Sequence, residues 1–288
     1  IIHTLGFDPA GYQFSNIVDE CRPYADFKWV HTSRGSELSL KGFLPEELNI
    51  EVLKKCDFFI ADNDVHYSIA LEFGLDRKQI PSFGIVPGGG GIDLQLFKNM
   101  ASPLTASKRE RIILWPKAYE CPFSKALPVF EALKLAWTHI KPCHIIMTAM
   151  IPETRMWFNS LPDEIKSSAT TLERIDHGHL VELLGSARVL LAPTLSDGIP
   201  NSLYEAMAMG VLPIVSPLQT FSHLFEDQVN VLYARNLYPG EIADALTSAM
   251  SDDGLVDSIT KTNLEVVKKI ANRSNLREHM ISFYNGMT

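Results

Sequence analysis

A chain of 288 residues, 46% hydrophobic and 21% charged, has the material for a substantial core and is not disordered by composition. Its length fits one large domain or two of ordinary size, and a formal net charge of −8 argues against a general nucleic-acid binder, whose surface is basic. No apolar run approaches the ~20 residues that cross a bilayer. The opening IIHTLGFDPAG lacks the basic and long apolar segments of a secretory signal. It also lacks an initiator Met and opens on a strand-like run, so the chain is expected to begin inside a domain.

In chain order, short apolar runs are expected as strands at IIHTL (1–5), FKWVHT (27–32), DFFIAD (57–62), SFGIVP (82–87) and RIILWP (111–116). CHIIMTAM (143–150), RVLLAPT (188–194) and VLPIVS (211–216) continue the series. They are continuous rather than alternating, as parallel strands covered on both faces should be. His3, ending the first run, reads as a core or crevice histidine. The D-N-D at 62–64 offers a D-x-D metal motif, but before a helix start it reads as capping. VPGGGGIDLQLFKNMASPLTASKRER (86–111) reads as a linker between two α/β units rather than a dinucleotide G-x-G-x-x-G loop. That leaves residues 1–100 as one unit and 101–288 as the other.

Helix patterns fill the intervals. SKALPVFEALKLAWTHI (124–140) aligns Leu127, Phe130, Leu133, Ala136 and Trp137, with Pro128 tolerated in the first turns. HLVELLGSA and SLYEAMAMG are shorter helices, the second closing on Gly210 with Leu203 and Met207 in its core stripe. His177 and His179 in HGH have zinc-ligand chemistry, but no partner residues stand near them in sequence, so a helix entry is expected. Cys21, Cys56, Cys121 and Cys143 form no C-x-x-C pair and read as reduced thiols of a cytoplasmic protein. Strand–helix alternation throughout means a doubly wound α/β architecture.

The chemistry concentrates in TLSDGIPNSLYEAMAMGVLPIVS (194–216). Asp197 and Glu205 lie eight positions apart around a helix start, with Asn201 or Ser202 able to cap it. Free N–H groups there, with the positive end of the helix dipole, make an anion site. Asp197 falls at the carboxyl end of a strand, where open α/β sheets place ligands. Glu205, one turn after Asn201, can accept from both hydroxyls of a sugar diol. The plainer alternative leaves Asp197 as a cap and Glu205 as an exposed surface acid.

DGIPNSLYEAMAMG resembles the E-x7-E signature of retaining family-4 glycosyltransferases of the GT-B fold, glycosyl transferases group 1, here written D-x7-E. VPGGGGIDLQLF resembles that family's interdomain V-P-N-G-V-D-x-x-x-F segment, and HLVELLGSARVLLAPTLSDG its approach to the acidic pair. FKWVHTSRGSEL and KKCDFFIADNDVHYSIALEFG resemble the later part of its acceptor domain. The resemblance implies two Rossmann-like domains: an incomplete acceptor-side one over 1–100 and a nucleotide-sugar donor domain over 101–288. It implies transfer of a hexose-type sugar from a nucleotide-diphosphate sugar, with retention and without a metal or cofactor. The acceptor would be a saccharide, a lipid-linked molecule or another small molecule, and peripheral membrane contact is left open.

By that resemblance Asp197 faces the transferred sugar and Glu205 the ribose. Gly198, Ile199, Pro200, Asn201, Ser202 and Leu203 line the donor site, the last three through backbone N–H groups. Lys117 and Lys125 match the cations set against the diphosphate. This sequence departs from the pattern in places. Asp197 is a methylene shorter than the usual Glu, and Lys117 stands where Arg is common. Arg34 precedes Gly35 where a His is frequent, with His31 three residues earlier. The family's opening strand, Gly-rich turn and helix have no counterpart before Ile1, so the chain is expected to bind nucleotide and transfer poorly. An inactive nucleotide-sugar module and a dehydrogenase are the other classes weighed.

Overall fold

In the computed structural model, residues 1–39, 45–87 and 89–287 are described. Gly88, of the four-glycine run, lies outside the described residues. Those described form two parallel sheets of three and six strands. The first has the order β1 (Ile2–Leu5), β2 (Trp29–Thr32), β3 (Phe58–Ile60), with Val30 opposite Phe58. Its crossover helices are α1 (Tyr12–Cys21) and α2 (Glu46–Lys55), and α3 (Asp64–Glu72) follows β3.

After α4 (Leu94–Met100) the second sheet begins at β4 (Ile112–Trp115). It continues through α5 (Leu127–Ile140), β5 (His144–Met147), α6 (Pro152–Asn159), α7 (Asp163–Ser167), β6 (Ala169–Thr171) and α8 (His177–Ser186). Then come β7 (Val189–Ala192), α9 (Asn201–Ala208), β8 (Leu212–Val215), β9 (Leu232–Tyr233) and α10 (Pro239–Ser251). The spatial order is β6-β5-β4-β7-β8-β9.

Strands β4, β7 and β8 are buried at every position, which is why their sequences run continuously apolar. Alternate residues of β4 serve opposite cores. Ile113 and Trp115 pack with Phe130 and Leu133 of α5 and Leu246 of α10. Ile112 and Leu114 pack with Leu184 of α8 and Leu203, Tyr204 and Met207 of α9, which confirms the core stripe expected of α9.

The two last helices tie the sheets together. α11 (Asp253–Ile270) stays with the larger sheet, but α12 (Arg273–Asn285) crosses to the smaller one. There the Phe283 ring meets Phe58 at 5.0 Å and Phe83 at 5.2 Å. In return α4 packs against α8 and α9.

Three expectations need correction. SFGIVP forms no strand: Gly84 adopts a φ of 75°, prolines flank the run, and one bond from Val86 N–H to the Ala61 carbonyl is all it lends the small sheet. The edge strands β6 and β9 went unread, being three and two residues long. His3 takes the crevice half of its expectation and not the core half: it lines the edge of a cavity with both ring nitrogens bonded, Nδ1 to the Tyr284 hydroxyl at 2.6 Å and Nε2 to Thr32 Oγ1 at 2.7 Å.

Candidate active site

Because β4 and β7 are neighbours, the loops leaving their carboxyl ends lie side by side. Lys117 and Asp197, 80 residues apart, meet there: Lys117 Nζ donates to Asp197 Oδ2 at 2.5 Å. Both side chains are mostly covered, 28% and 19% exposed, so the pair is only partly screened by water. Burial works to lower the Lys117 ammonium, but the Asp197 charge and hydrogen bond outweigh it and hold the group above its ordinary value. It is a cation at neutral pH.

The acid loop is held from several sides. The Thr220 hydroxyl donates to the Asp197 carbonyl at 2.9 Å, and the Leu195 N–H to the Phe123 carbonyl at 2.7 Å. The Asn236 amide donates to the carbonyls of Pro193 and Lys125, both at 3.0 Å, and accepts the Lys125 N–H at 2.9 Å. Thr220 and Asn236 were not anticipated from the sequence. Their contacts span 23 and 111 residues, and no local pattern announces them. Lys125 does not join Asp197; its ammonium pairs with Glu120 at 2.8 Å.

At the start of α9 neither Asn201 nor Ser202 caps the helix. Pro200 occupies the N-cap position, which carries no side-chain cap bond. The Leu203 N–H turns back to the Pro200 carbonyl at 2.9 Å, while those of Asn201 and Ser202 have no acceptor among the described residues. An uncapped helix start with free donors is what an anion needs. Glu205, taken in the plainer reading as exposed, is only 5% exposed. His177, the first residue of α8 and itself mostly exposed, places Nε2 at 2.8 Å from Glu205 Oε1.

A cavity of about 440 Å³ opens between these groups, with Lys117, Ala149, Arg174, Ile175, His177 and Ser202 among its walls. Arg174 is exposed and makes no ion pair among the described residues. It escaped the sequence reading because it stands alone in a polar stretch. His177 and His179 fulfil the helix-entry expectation: Asp176 caps α8 by accepting the His179 N–H at 2.9 Å. No group of three potential metal ligands occurs among the described residues.

The smaller sheet packs against the acid loop. A Cβ on Gly198 would lie 2.6 Å from Asp62 Oδ2 and 2.8 Å from the Gly35 carbonyl, so only glycine fits this seam. Ser196 and Ser36 bond across it at 3.2 Å, and His223 pairs with Asp64 at 3.1 Å. The D-N-D stretch sits behind the acid loop. Asn63 caps α3 by accepting the His66 N–H, and buried Asp62 contacts His66 Nδ1 at 3.0 Å. His31 does not stand in for the missing histidine. It is fully buried, its ring 4.5 Å from that of Phe7, and desolvation drops its pKa to about 3.

Residues 129–252 match the family described as Glycosyl transferases group 1. No curated protein matches the chain in sequence. Among solved structures, the sucrose-phosphate synthase of Thermosynechococcus elongatus superposes with a TM-score of 0.73 at 17% identity, over 99% of this chain and 73% of that one. Anabaena HepE in complex with UDP gives 0.76 at 12%, over 99% and 79%. A Rickettsia africae glycosyltransferase gives 0.72 at 15%, over 99% and 76%. At such identities the likeness establishes the GT-B fold, which the resemblance of the motifs had implied. Among the described residues, no helix is long and apolar enough to cross a membrane.

Proposed function

We propose that the chain transfers a hexose-type sugar from a nucleoside-diphosphate sugar to an acceptor, with retention at the anomeric carbon and without a metal. The observation that carries this reading is the Lys117–Asp197 pair, set at the carboxyl ends of adjacent strands beside a cavity large enough for a nucleotide. Solved HepE structures hold UDP and UDP-glucose, which makes uridine diphosphate the first ligand to try.

In this reading the ribose diol meets Glu205, which His177 holds in place. The diphosphate meets the free N–H groups of Asn201 and Ser202, and Asp197 meets the sugar. As the bond from the anomeric carbon to the diphosphate oxygen breaks, its electron pair passes to the leaving diphosphate. Lys117 and the helix start stabilise that charge, an effect worth about 2.7–4 kcal/mol for one well-placed donor. The acceptor hydroxyl adds to the anomeric carbon on the face the diphosphate leaves, and gives its proton to the departing phosphate oxygen. Lys125 extends the cationic wall when the ligand draws it from Glu120. Residues 101–288 supply these donor contacts, and residues 1–100 the acceptor side.

Calorimetric titration with UDP, ADP, GDP and NAD tests the donor site. A nucleoside diphosphate should bind and NAD should not, with Lys117→Ala weakening the diphosphate far more than the free nucleoside. Transfer followed by NMR reads the anomeric outcome. Binding of NAD alone, or equal losses for diphosphate and nucleoside, would remove the donor-site reading.

A further inference from the structure

A second cavity, about 240 Å³, lies beside the acid loop and is formed by the smaller sheet, the glycine-rich segment and α12. Its apolar wall is Leu5, Ile60, Val86, Pro87 and Met280. Its polar side chains are almost all engaged with one another. His3 bonds Thr32 and Tyr284 through its two ring nitrogens, and Ser33 Oγ lies 3.3 Å from His66 Nδ1. Arg34 is the exception: among the described residues its guanidinium has no hydrogen bond and no ion pair. Glu37, the nearest acid in sequence, accepts the backbone N–H groups of Arg34 and Phe7 instead.

The cavity adjoins the donor site through its rim. Gly35, next to Arg34, abuts Gly198, and a Cβ on the lining residue Gly89 would lie 2.8 Å from Asn201 Nδ2. A molecule held here reaches the point where the sugar is released. A bare saccharide fits the lining poorly, since its hydroxyls need several partners and these side chains are already paired. The volume is below the ~300–1,000 Å³ of a whole-ligand pocket, so part of a larger molecule enters. An apolar group fills such a wall, and the unpaired guanidinium at its edge selects an anion.

We propose, resting on the donor-site reading above, that this cavity takes the apolar part of the acceptor while Arg34 binds a phosphate or carboxylate of the same molecule. The acceptor class is an anionic amphiphile, with the hydroxyl to be glycosylated directed towards the donor site. Desolvation, and then the Arg34 charge, hold His3 below its usual pKa, in keeping with an electropositive cavity edge.

The test titrates the full chain with geranyl phosphate below its aggregation threshold, with and without saturating UDP. Geraniol and inorganic phosphate are titrated alongside. Geranyl phosphate should bind with UDP present, at least tenfold more tightly than either fragment. Arg34→Gln should lose about tenfold, Arg34→Lys should keep most of the affinity, and Met280→Glu should abolish binding, while all three still bind UDP. Vesicles of phosphatidylcholine with phosphatidic acid separate the sources. Arg34-dependent sedimentation means a membrane-borne acceptor, and binding of the soluble probe alone means a free one. A net charge of −8 works against non-specific attraction to such vesicles. UDP binding with no Arg34-dependent binding of either probe overturns the acceptor inference and leaves the donor reading standing. Displacement of geranyl phosphate by UDP also overturns it. Binding of the amphiphile without any nucleoside diphosphate strikes the donor reading instead.

Discussion

The two sheets solve the same problem of buried polarity in opposite ways. Around the larger sheet the buried cations are arginines facing backbone carbonyls. Arg188 donates to Ala249 at 2.9 Å, to Ser107 at 3.0 Å and to the Asp253 carboxylate at 2.7 Å; Arg109 reaches Ala187 at 3.1 Å and Met209 at 2.5 Å. The smaller sheet buries His31, His66, Asp62, Asn63 and Asn49. Guanidinium stays charged at every ordinary pH, whereas imidazole does not. These buried arginines of the donor half are therefore fixed against pH, whereas the buried His31 imidazole of the other half responds to it.

Removing Arg188 should give the largest effect on this contrast. Arg188→Met leaves the buried Ala249 carbonyl and the part-buried Ser107 carbonyl without this donor. We expect about 1.5–3 kcal/mol of lost stability, the range for hydrogen bonds to a charged group. Urea unfolding followed at Trp115 and Trp137, both in the larger core, measures it. A loss below about 1 kcal/mol, that of a typical single hydrogen bond, would mean the arginines are dispensable and the contrast is only descriptive.

Glu205 comes next and carries two effects. Read as a surface residue, it should leave stability alone when changed to alanine; its burial and its bond to His177 predict otherwise. Glu205→Ala should weaken nucleoside-diphosphate binding by about 1.5–3 kcal/mol, the value of hydrogen bonds to a charged group. It should also lower stability by ~0.5–1.5 kcal/mol, since one hydrogen bond to the exposed His177 is lost. Calorimetry and melting curves on the same protein separate the two. Unchanged nucleotide affinity with lowered stability would assign Glu205 a purely structural role.

His31 sharpens the comparison from the other side. Its folded pKa of about 3 lies below the ordinary 6.5. The unfolded chain therefore takes up a proton that the folded chain refuses. Its contribution is complete above pH 6.5 and is lost as pH falls from there towards 3, at about 1.4 kcal/mol per pH unit. Unfolding at pH 7, 6 and 5, read at Trp29 in the smaller core, should show this slope, and His31→Gln should flatten it. An identical slope in the variant would place the acid sensitivity elsewhere.

The legible parts of the molecule share a cause. Strands such as RIILWP and VLLAPT announced themselves because both faces are covered, and the acid spacing of Asp197 and Glu205 because one loop and one helical turn carry both. SFGIVP misled because its apolar residues line cavities and meet α12 instead of joining a sheet. The partner of Glu205 was invisible since His177 lies 28 residues away on another helix. Lys125 is the opposite case: its ammonium pairs with Glu120, only five residues away. The absent helix cap is a local failure: Asn201 and Ser202 have the right chemistry one and two positions too late, behind Pro200.

The smallest effect tests how the acid loop is held. Thr220 is 4% exposed, and its hydroxyl donates to the Asp197 carbonyl. Valine keeps the shape and removes that donor, leaving a carbonyl short of a partner, so Thr220→Val should cost about 0.5–1.5 kcal/mol of stability. The backbone bond acts on the loop and not on the ligand. Its loss should therefore loosen Asp197 against the sugar while Lys117 and the start of α9 still meet the diphosphate. Affinity for a nucleotide sugar should fall about two- to fivefold, with affinity for the nucleoside diphosphate unchanged, and Thr220→Ser should restore both. Parallel calorimetric titrations with the two ligands decide it. Equal weakening of both would show that Thr220 supports the cavity as a whole, and that the acid loop is not a separate element of the site.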